Sequence, residues 1–270
     1  MNMRWLRAIA FNVYYWSLTI SAALACTVLL ILPLRDPLRF IMLHWARAVV
    51  WGMRAFGGMQ IDVRGREHLP AKGPALIASK HQSECDGILL AALVKDIAFV
   101  AMKELFSWPL IGPILYRLQM VRVDTCGGER ERRNLAHFCR RAFDNGRIIA
   151  IYPEGHLMPI GQKERYRTGI YYLSRDLNLP VTPVALSVGL LWSRWQFWKR
   201  PGRAAIQFLP PIPPSPDKDA FMARLEDEIE RATAALVAEA TGQPVELARY
   251  VPRSPPRPPR EVAAAPFTTP

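Results

Sequence analysis

The sequence predicts an α/β fold, a layered mixed sheet flanked by helices, with a hydrophobic, membrane-anchoring helix pair at its N-terminus. Three observations predict it. A 27-residue run from Ala8 to Leu34 carries no charge, short apolar runs alternate with amphipathic stretches from Gln60 onward, and half of the 270 residues are hydrophobic. That much apolar side chain can fill a core, which excludes a disordered protein. The chain divides into anchoring helices over 1–59, a main domain over 60–245 and a tail over 246–270.

At a rise of about 1.5 Å per residue the uncharged run makes roughly 40 Å of helix, enough to span a membrane or embed deeply in it. Tyr14, Tyr15 and Trp16 near one end fit an interfacial aromatic belt. A cleaved signal peptide and a buried core helix also fit a long apolar run. The run continues well past Ala25, a plausible cleavage site, which favours a retained anchor. Residues 38–58 place Leu38, Ile41, Trp45, Val49 and Met53 on one stripe, with Arg39, Arg47 and Arg54 elsewhere. They read as a second amphipathic helix ended by Gly57 and Gly58.

Strands are expected at Gln60–Val63, Pro74–Ser79, Ile97–Ala101, Met120–Asp124, Arg147–Tyr152, Val181–Leu186 and Ala204–Leu209. Helices are expected between them, at 86–94, 107–118, 129–144 and 164–176. A last helix over 217–240 is introduced by Ser215-Pro216-Asp217 and shows Phe221, Leu225, Ile229 and Leu236 on one face. Residues 252–270 hold seven Pro in 19 and read as a disordered tail.

Lys and Arg number 35 against 23 Asp and Glu, a net charge of +12 that divides into +5 over 1–59, +5 over 60–251 and +2 in the tail. No block of consecutive basic residues forms a nucleic-acid arm, so the charge reads as a diffuse attraction to an acidic surface. Trp192 to Arg200 alternate aromatic and basic side chains. Beside a membrane segment this reads as an interfacial anchor, with aromatic packing over a hairpin as the structural alternative. The four Cys form no C-x-x-C pair, and a reducing compartment is the default.

The strand Pro74–Ser79 runs into Lys80-His81-Gln82-Ser83-Glu84-Cys85-Asp86, where a His follows a strand's carboxyl end, the usual ligand crevice of α/β sheets. The five-residue offset lets a turn bring the Asp86 carboxylate onto the His81 imidazole. An Asp that holds one ring nitrogen leaves the other as a general base. Cys85 or Ser83 as a nucleophile served by His81, and a metal held by this segment with His156, fit the same residues. Farther on, Tyr152-Pro153-Glu154-Gly155 closes another strand: Pro153 stops the ladder, Gly155 permits close backbone approach, and Glu154 is expected in the same crevice.

Four blocks in order resemble the glycerolipid acyltransferase family, typified by 1-acyl-sn-glycerol-3-phosphate acyltransferases. His81 to Asp86 resembles its N-H-x-S-x-x-D block, with Lys80 in place of Asn. Met120 to Asp124 falls where its second block lies, Tyr152 to Gly155 resembles F-P-E-G, and Leu179 to Ala185 resembles its V-P-[IV]-x-P-[VI] strand. Lys103-Glu104-Leu105 is also similar to a family element.

The resemblance covers roughly residues 60–240. It implies an acyltransferase domain over 60–245, with His81 as general base and Asp86 as its orienter. The acceptor hydroxyl would attack an acyl thioester directly, without an acyl-enzyme. Lys103 would face the acceptor phosphate, Glu154 and Gly155 would help position the acceptor, and Arg122, Lys163, Arg165 and Arg167 stand nearby as further basic candidates for substrate binding.

The implied partners are membrane lipid, a lysophospholipid acceptor and an acyl-CoA or acyl carrier protein donor. No nucleic acid, metal or prosthetic group is implied. Cytosolic donors imply a catalytic domain on the cytoplasmic side of the inner membrane. Two departures bear on the acceptor: Thr125 and Leu157 stand where the family usually has phosphate-binding arginines, with His156 in place of Thr. Another lysolipid, such as a lyso-ornithine lipid, and a catalytically silent lipid-binding scaffold are therefore alternatives to lysophosphatidate acylation.

Overall fold

The computed structural model describes residues 3–32, 35–124, 128–194, 196–244 and 246–252, the side chains of 128–133 excepted. Strands β1 (Met59–Arg64), β2 (Ala75–Ser79), β3 (Ile97–Met102), β4 (Val121–Val123) and β5 (Ile148–Ile151) all fall within two residues of their predicted ends. The small strand β6 (Gln162–Lys163) was not predicted, whereas β7 (Val181–Leu186) and β8 (Gly202–Phe208) were. The main sheet has seven strands in the order β1-β8-β7-β2-β5-β3-β4, parallel except where β7 meets β8.

Strands β5 and β7 are buried along their whole length, as a sheet covered on both faces requires. Alternation assigns each side chain to a layer. Ile77, Ile148 and Ala150 join the core under helices α1 (Met3–Leu29), α2 (Asp36–Ala55) and α3 (Cys85–Leu93). Their neighbours Leu76, Ala78, Ile149 and Ile151 join the opposite core. That second core lies under α5 (Gly128–Phe143), α6 (Gly169–Leu177) and α7 (Lys218–Thr241), with α4 (Ile111–Arg117) at the β4 edge. Asp217 caps α7 by accepting from the Asp219 and Ala220 amides, each at 3.0 Å. Phe221, Leu225, Ile229 and Leu236 are buried, the predicted face.

Three predicted elements differ. The helix expected over 107–118 is a 3₁₀ turn at Lys103–Ser107 followed by α4, because Pro109 interrupts the path and Pro113 is tolerated only in the first turn. The helix expected over 164–176 begins at Gly169. The residues before it are non-helical, the Arg167 amide donating to the Pro153 carbonyl at 2.8 Å. The tail expected from 246 does not start free: β9 (Arg249–Tyr250) pairs with β6, and Lys163 lies 4.3 Å over the Tyr250 ring. Residues 253–270 lie outside the described part.

Helix α1 presents two faces. Ala8, Phe11, Asn12 and Cys26 are buried against α2 and the domain, whereas Ile9, Val13, Trp16, Ile20, Leu24 and Val28, spaced by three or four, are exposed. Polar residues of the apolar run find protein partners. The Tyr14 hydroxyl donates to the Ala48 carbonyl at 3.0 Å, and the Trp45 indole donates to the Thr19 hydroxyl at 3.1 Å. Asn12 donates to the Phe197 carbonyl at 2.9 Å and accepts from Lys199 at 2.8 Å. At the other end Arg117 donates to the Leu32 carbonyl at 2.9 Å.

Arg147 is fully buried just before β5 and donates to three carbonyls, those of Asp96 at 2.8 Å, Leu118 at 2.5 Å and Ile97. Burial lowers its pKa to about 10, and repulsion from Arg39 adds to the effect. Arg147→Met would orphan three carbonyls in a dry setting. It is expected to lower the unfolding free energy by about 3 kcal/mol or more, read as a fall in the thermal midpoint.

Candidate active site

Strands β2 and β5 are parallel neighbours with Ala78 opposite Ile151, so the chain leaves both at the same end of the sheet. This brings His81 beside Tyr152, and the two rings stack at 3.9 Å between centroids and 16° between planes. The turn after β2 folds Asp86, in the first turn of α3, back onto His81. Its Oδ2 accepts from His81 Nδ1 at 3.0 Å, from the Gln82 amide at 2.7 Å and from the Ser83 amide at 2.9 Å. Asp86 is fully buried; burial raises its pKa, and the bond to His81 acts in the opposite direction. With Nδ1 engaged, Nε2 is the ring nitrogen left for the cavity that His81 lines.

The competing chemistries of this segment find less support. Cys85 is fully buried with its sulfur 3.6 Å from Met53 Sδ, and burial holds its thiol well above the ordinary range. Ser83 is buried, its Oγ accepting from the Cys85 amide at 3.0 Å. His156 Nδ1 stands 3.9 Å from Glu164. Among the described residues no group of three or more His, Cys, Asp or Glu is arranged to hold a metal ion.

Lys80, one residue before His81, is 1% exposed and is the hub of a buried ionic cluster. Its ammonium donates to Glu154 Oε1 at 2.6 Å, Glu230 Oε1 at 2.8 Å and the Gln162 carbonyl at 3.2 Å, which uses all three of its protons. Glu154 Oε2 accepts from the His81 amide at 3.2 Å, and Tyr166 donates to Glu230 at 2.8 Å. Burial lifts the Glu154 carboxyl to about 7, with Lys80 pulling the other way.

His81, Gly155 and Arg165 line a cavity of about 680 Å³ together with apolar side chains of β3, α5 and α6. The other expected substrate contacts lie elsewhere. Glu154 is fully buried behind His81, because a carboxylate in that position is the nearest partner for Lys80. Arg122 is exposed and points away from the cavity, while Val123 and Asp124 face it, as strand alternation dictates. Lys103 sits at the margin, its ammonium 2.5 Å from Asp124 Oδ2. Of the other basic candidates, Lys163 is engaged by Glu226 at 2.9 Å, whereas Arg167 lines the cavity. Gly155 has φ +78°, and a Cβ there would lie 2.5 Å from Arg167 Nε.

Sequence reasoning missed that Lys80, Glu230 and Tyr152 pack around His81 and Glu154 and that Arg194 lines the cavity. The signal for the first pair was a Lys at the buried end of a strand together with a Glu beside the apolar stripe of α7.

Residues 60–187 match the family model described as Acyltransferase. Over these residues the chain thus carries an acyltransferase-type domain. The chain is 29% identical over 241 residues to the 1-acyl-sn-glycerol-3-phosphate acyltransferase of Pseudomonas aeruginosa, covering 88% of this chain and 93% of that one. It is 30% identical over 119 residues to the lyso-ornithine lipid O-acyltransferase of Rhizobium meliloti, covering 44% of this chain and 38% of that one. The crystal structure of the 1-acyl-sn-glycerophosphate (LPA) acyltransferase from Thermotoga maritima shares the fold, with a TM-score of 0.70 at 19% identity, over 87% of this chain and 98% of that one. The acyltransferase domain is thus an enzyme domain of the O-acyltransferase class.

Lys80→Met would leave Glu154 and Glu230 facing each other without a counter-charge. The variant is expected to lose about 3 kcal/mol or more of stability, measured by chemical denaturation in detergent.

Proposed function

We propose that the chain transfers a fatty acyl group from acyl-CoA or acyl carrier protein to the free hydroxyl of 1-acyl-glycerol-3-phosphate, giving phosphatidic acid for phospholipid synthesis. The observation that carries this reading is the 3.0 Å contact between His81 Nδ1 and Asp86 Oδ2 at the wall of a largely apolar cavity. His81 Nε2 takes the proton of the acceptor hydroxyl while its oxygen attacks the thioester carbonyl. The tetrahedral adduct collapses, the carbon–sulfur bond breaks, and the imidazolium returns the proton to the leaving thiolate. Asp86 holds the ring and stabilises its charged form, Tyr152 supports its face, and Glu154 positions its backbone. No step requires a metal, a cofactor or an acyl-enzyme.

The reading includes a membrane surface. Helix α1, at 27 residues, exceeds the roughly 30 Å hydrocarbon core in length, yet it is tied to the same domain at two points, through Asn12 in its first half and through the Arg117 bond to Leu32 just past its C-terminus. A helix so tied can lie in one leaflet with its Ile9-to-Val28 stripe in lipid, but cannot cross without dragging the domain after it. Trp5, Trp51, Phe197 and Trp198, all exposed, extend the same apolar surface. Cytosolic thioester donors put the domain on the cytoplasmic side of the inner membrane. Leu157 in place of an arginine and the likeness to the lyso-ornithine lipid enzyme favour, as a second reading, a lysolipid without a phosphate monoester.

Purified protein given labelled donor and a panel of lysolipids is expected to acylate lysophosphatidate. Product should fall at least about a hundredfold in His81→Ala and Asp86→Asn and persist in Cys85→Ala. Product with another lysolipid alone would move the acceptor. For the membrane, Met3→Cys and Leu32→Cys variants in vesicles should react with an impermeant maleimide from the same side; reaction from opposite sides would make α1 a spanning helix.

A further inference from the structure

We propose that Arg194 is a specificity-determining residue for the acceptor, completing with Arg165 and Arg167 an anion-binding subsite that takes a phosphate monoester headgroup. The inference rests on the acyltransfer reading above and assigns the part of the cavity that the missing arginines leave open.

Phe99, Leu105, Leu135 and Ile170 give the cavity an apolar wall suited to acyl chain, and Arg165, Arg167 and Arg194 line the same space together with the carboxylates of Glu84 and Asp124, the latter held 2.5 Å from the Lys103 ammonium. Arg165 and Arg167 come from the non-helical stretch before α6, where Tyr166 between them is buried and donates to Glu230. Arg167 is laid against Gly155, in the same turn as the Glu154 that bonds the His81 amide. It therefore lies close to the reacting hydroxyl's expected position. A phosphate monoester carries nearly two negative charges, and the planar fork of Arg suits its oxygens.

Arg194 arrives from a different direction, beyond the 60–187 stretch that the family model covers. Its segment is pinned on both sides. Before it, Trp192 is buried and meets the α1 rings of Phe11 at 5.5 Å and Tyr15 at 5.2 Å between centroids. After it, Phe197 and Lys199 are both bonded to Asn12 of α1. Toward the catalytic turn, a Cβ at Gly189 would lie 3.0 Å from Gln82 Cβ, so the same segment also rests on the loop that carries His81. Arg194 is thus mounted on the seam between the helix that faces lipid and the turn that holds the base. A headgroup cation in that position is suited to a substrate that reaches the site from the membrane.

The test is steady-state kinetics of the full chain in mixed micelles, with acceptor and donor varied separately. Arg194→Gln is expected to raise the KM for lysophosphatidate about tenfold or more, the loss of one charge-assisted contact, while the KM for the acyl donor and flotation with vesicles stay as in the wild type. Arg194→Lys should recover part of the loss. An unchanged acceptor KM overturns the proposal, as does a parallel rise in both KM values. Loss of flotation would make Arg194 a membrane anchor and overturn it too. Wild-type protein inactive on lysophosphatidate but active on another lysolipid removes the proposed acceptor, and this subsite assignment with it. Wild-type activity together with an unaltered Arg194→Gln variant removes the assignment alone.

Discussion

A buried ammonium needs counter-charges, and Lys80 places that demand one residue before the imidazole at the centre of the site. Leaving such a charge unpaired in a dry interior costs several kcal/mol, so Glu154 from the turn after β5 and Glu230 from α7 must both approach it. Satisfying Lys80 thereby draws together the carboxyl ends of two strands and the middle of a helix. The second oxygen of Glu154 then faces the His81 amide. Buried ion clusters of this kind add little net stability over apolar packing. Here the gain is placement: the backbone of His81 is held from one side by Glu154 and its ring from the other by Asp86.

The same rule, that polar groups away from water must find partners, shapes α1. Its sequence is apolar enough for lipid, yet Asn12, Tyr14 and Thr19 each meet a protein partner on the buried face. The helix therefore has two faces, one packed on protein and one apolar and exposed. Gly52 lets α2 come close to it: a Cβ there would lie 2.2 Å from the Tyr14 ring. Through Asn12 the helix holds the segment after β7, and that segment joins the exposed apolar face of α1 to the cavity beside His81.

Most of the sheet was legible in the sequence because its central strands are short apolar runs that end in turn residues; β7, with Pro180 before it, matched its predicted bounds. The pairing of His81 with Asp86 was legible because it is local, five residues closed by one turn. The misplaced elements share a cause. Residues 164–168 have a helix-compatible composition, but their backbone is recruited by Pro153 and their arginines by the cavity, a tertiary demand that no local pattern carries. Tyr250 lies in a Pro-flanked, polar stretch, and its place is set by distant partners, the β6 strand together with Lys163 and Glu226.

Composition, periodicity and short motifs determined the α/β class, the apolar N-terminal helices and the pairing of His81 with Asp86, since each depends on residues within a turn or two of one another. Which charged residues face the cavity was decided by tertiary structure. Glu154 was expected in the crevice and lies behind it, Arg122 was expected inside and points out, and Arg194 enters from a segment that sequence alone assigned to the membrane. The reason is physical: a long charged side chain goes where a partner or water receives it, and those partners are separated from it by 74 residues in the case of Lys80 and Glu154 and 150 in the case of Lys80 and Glu230.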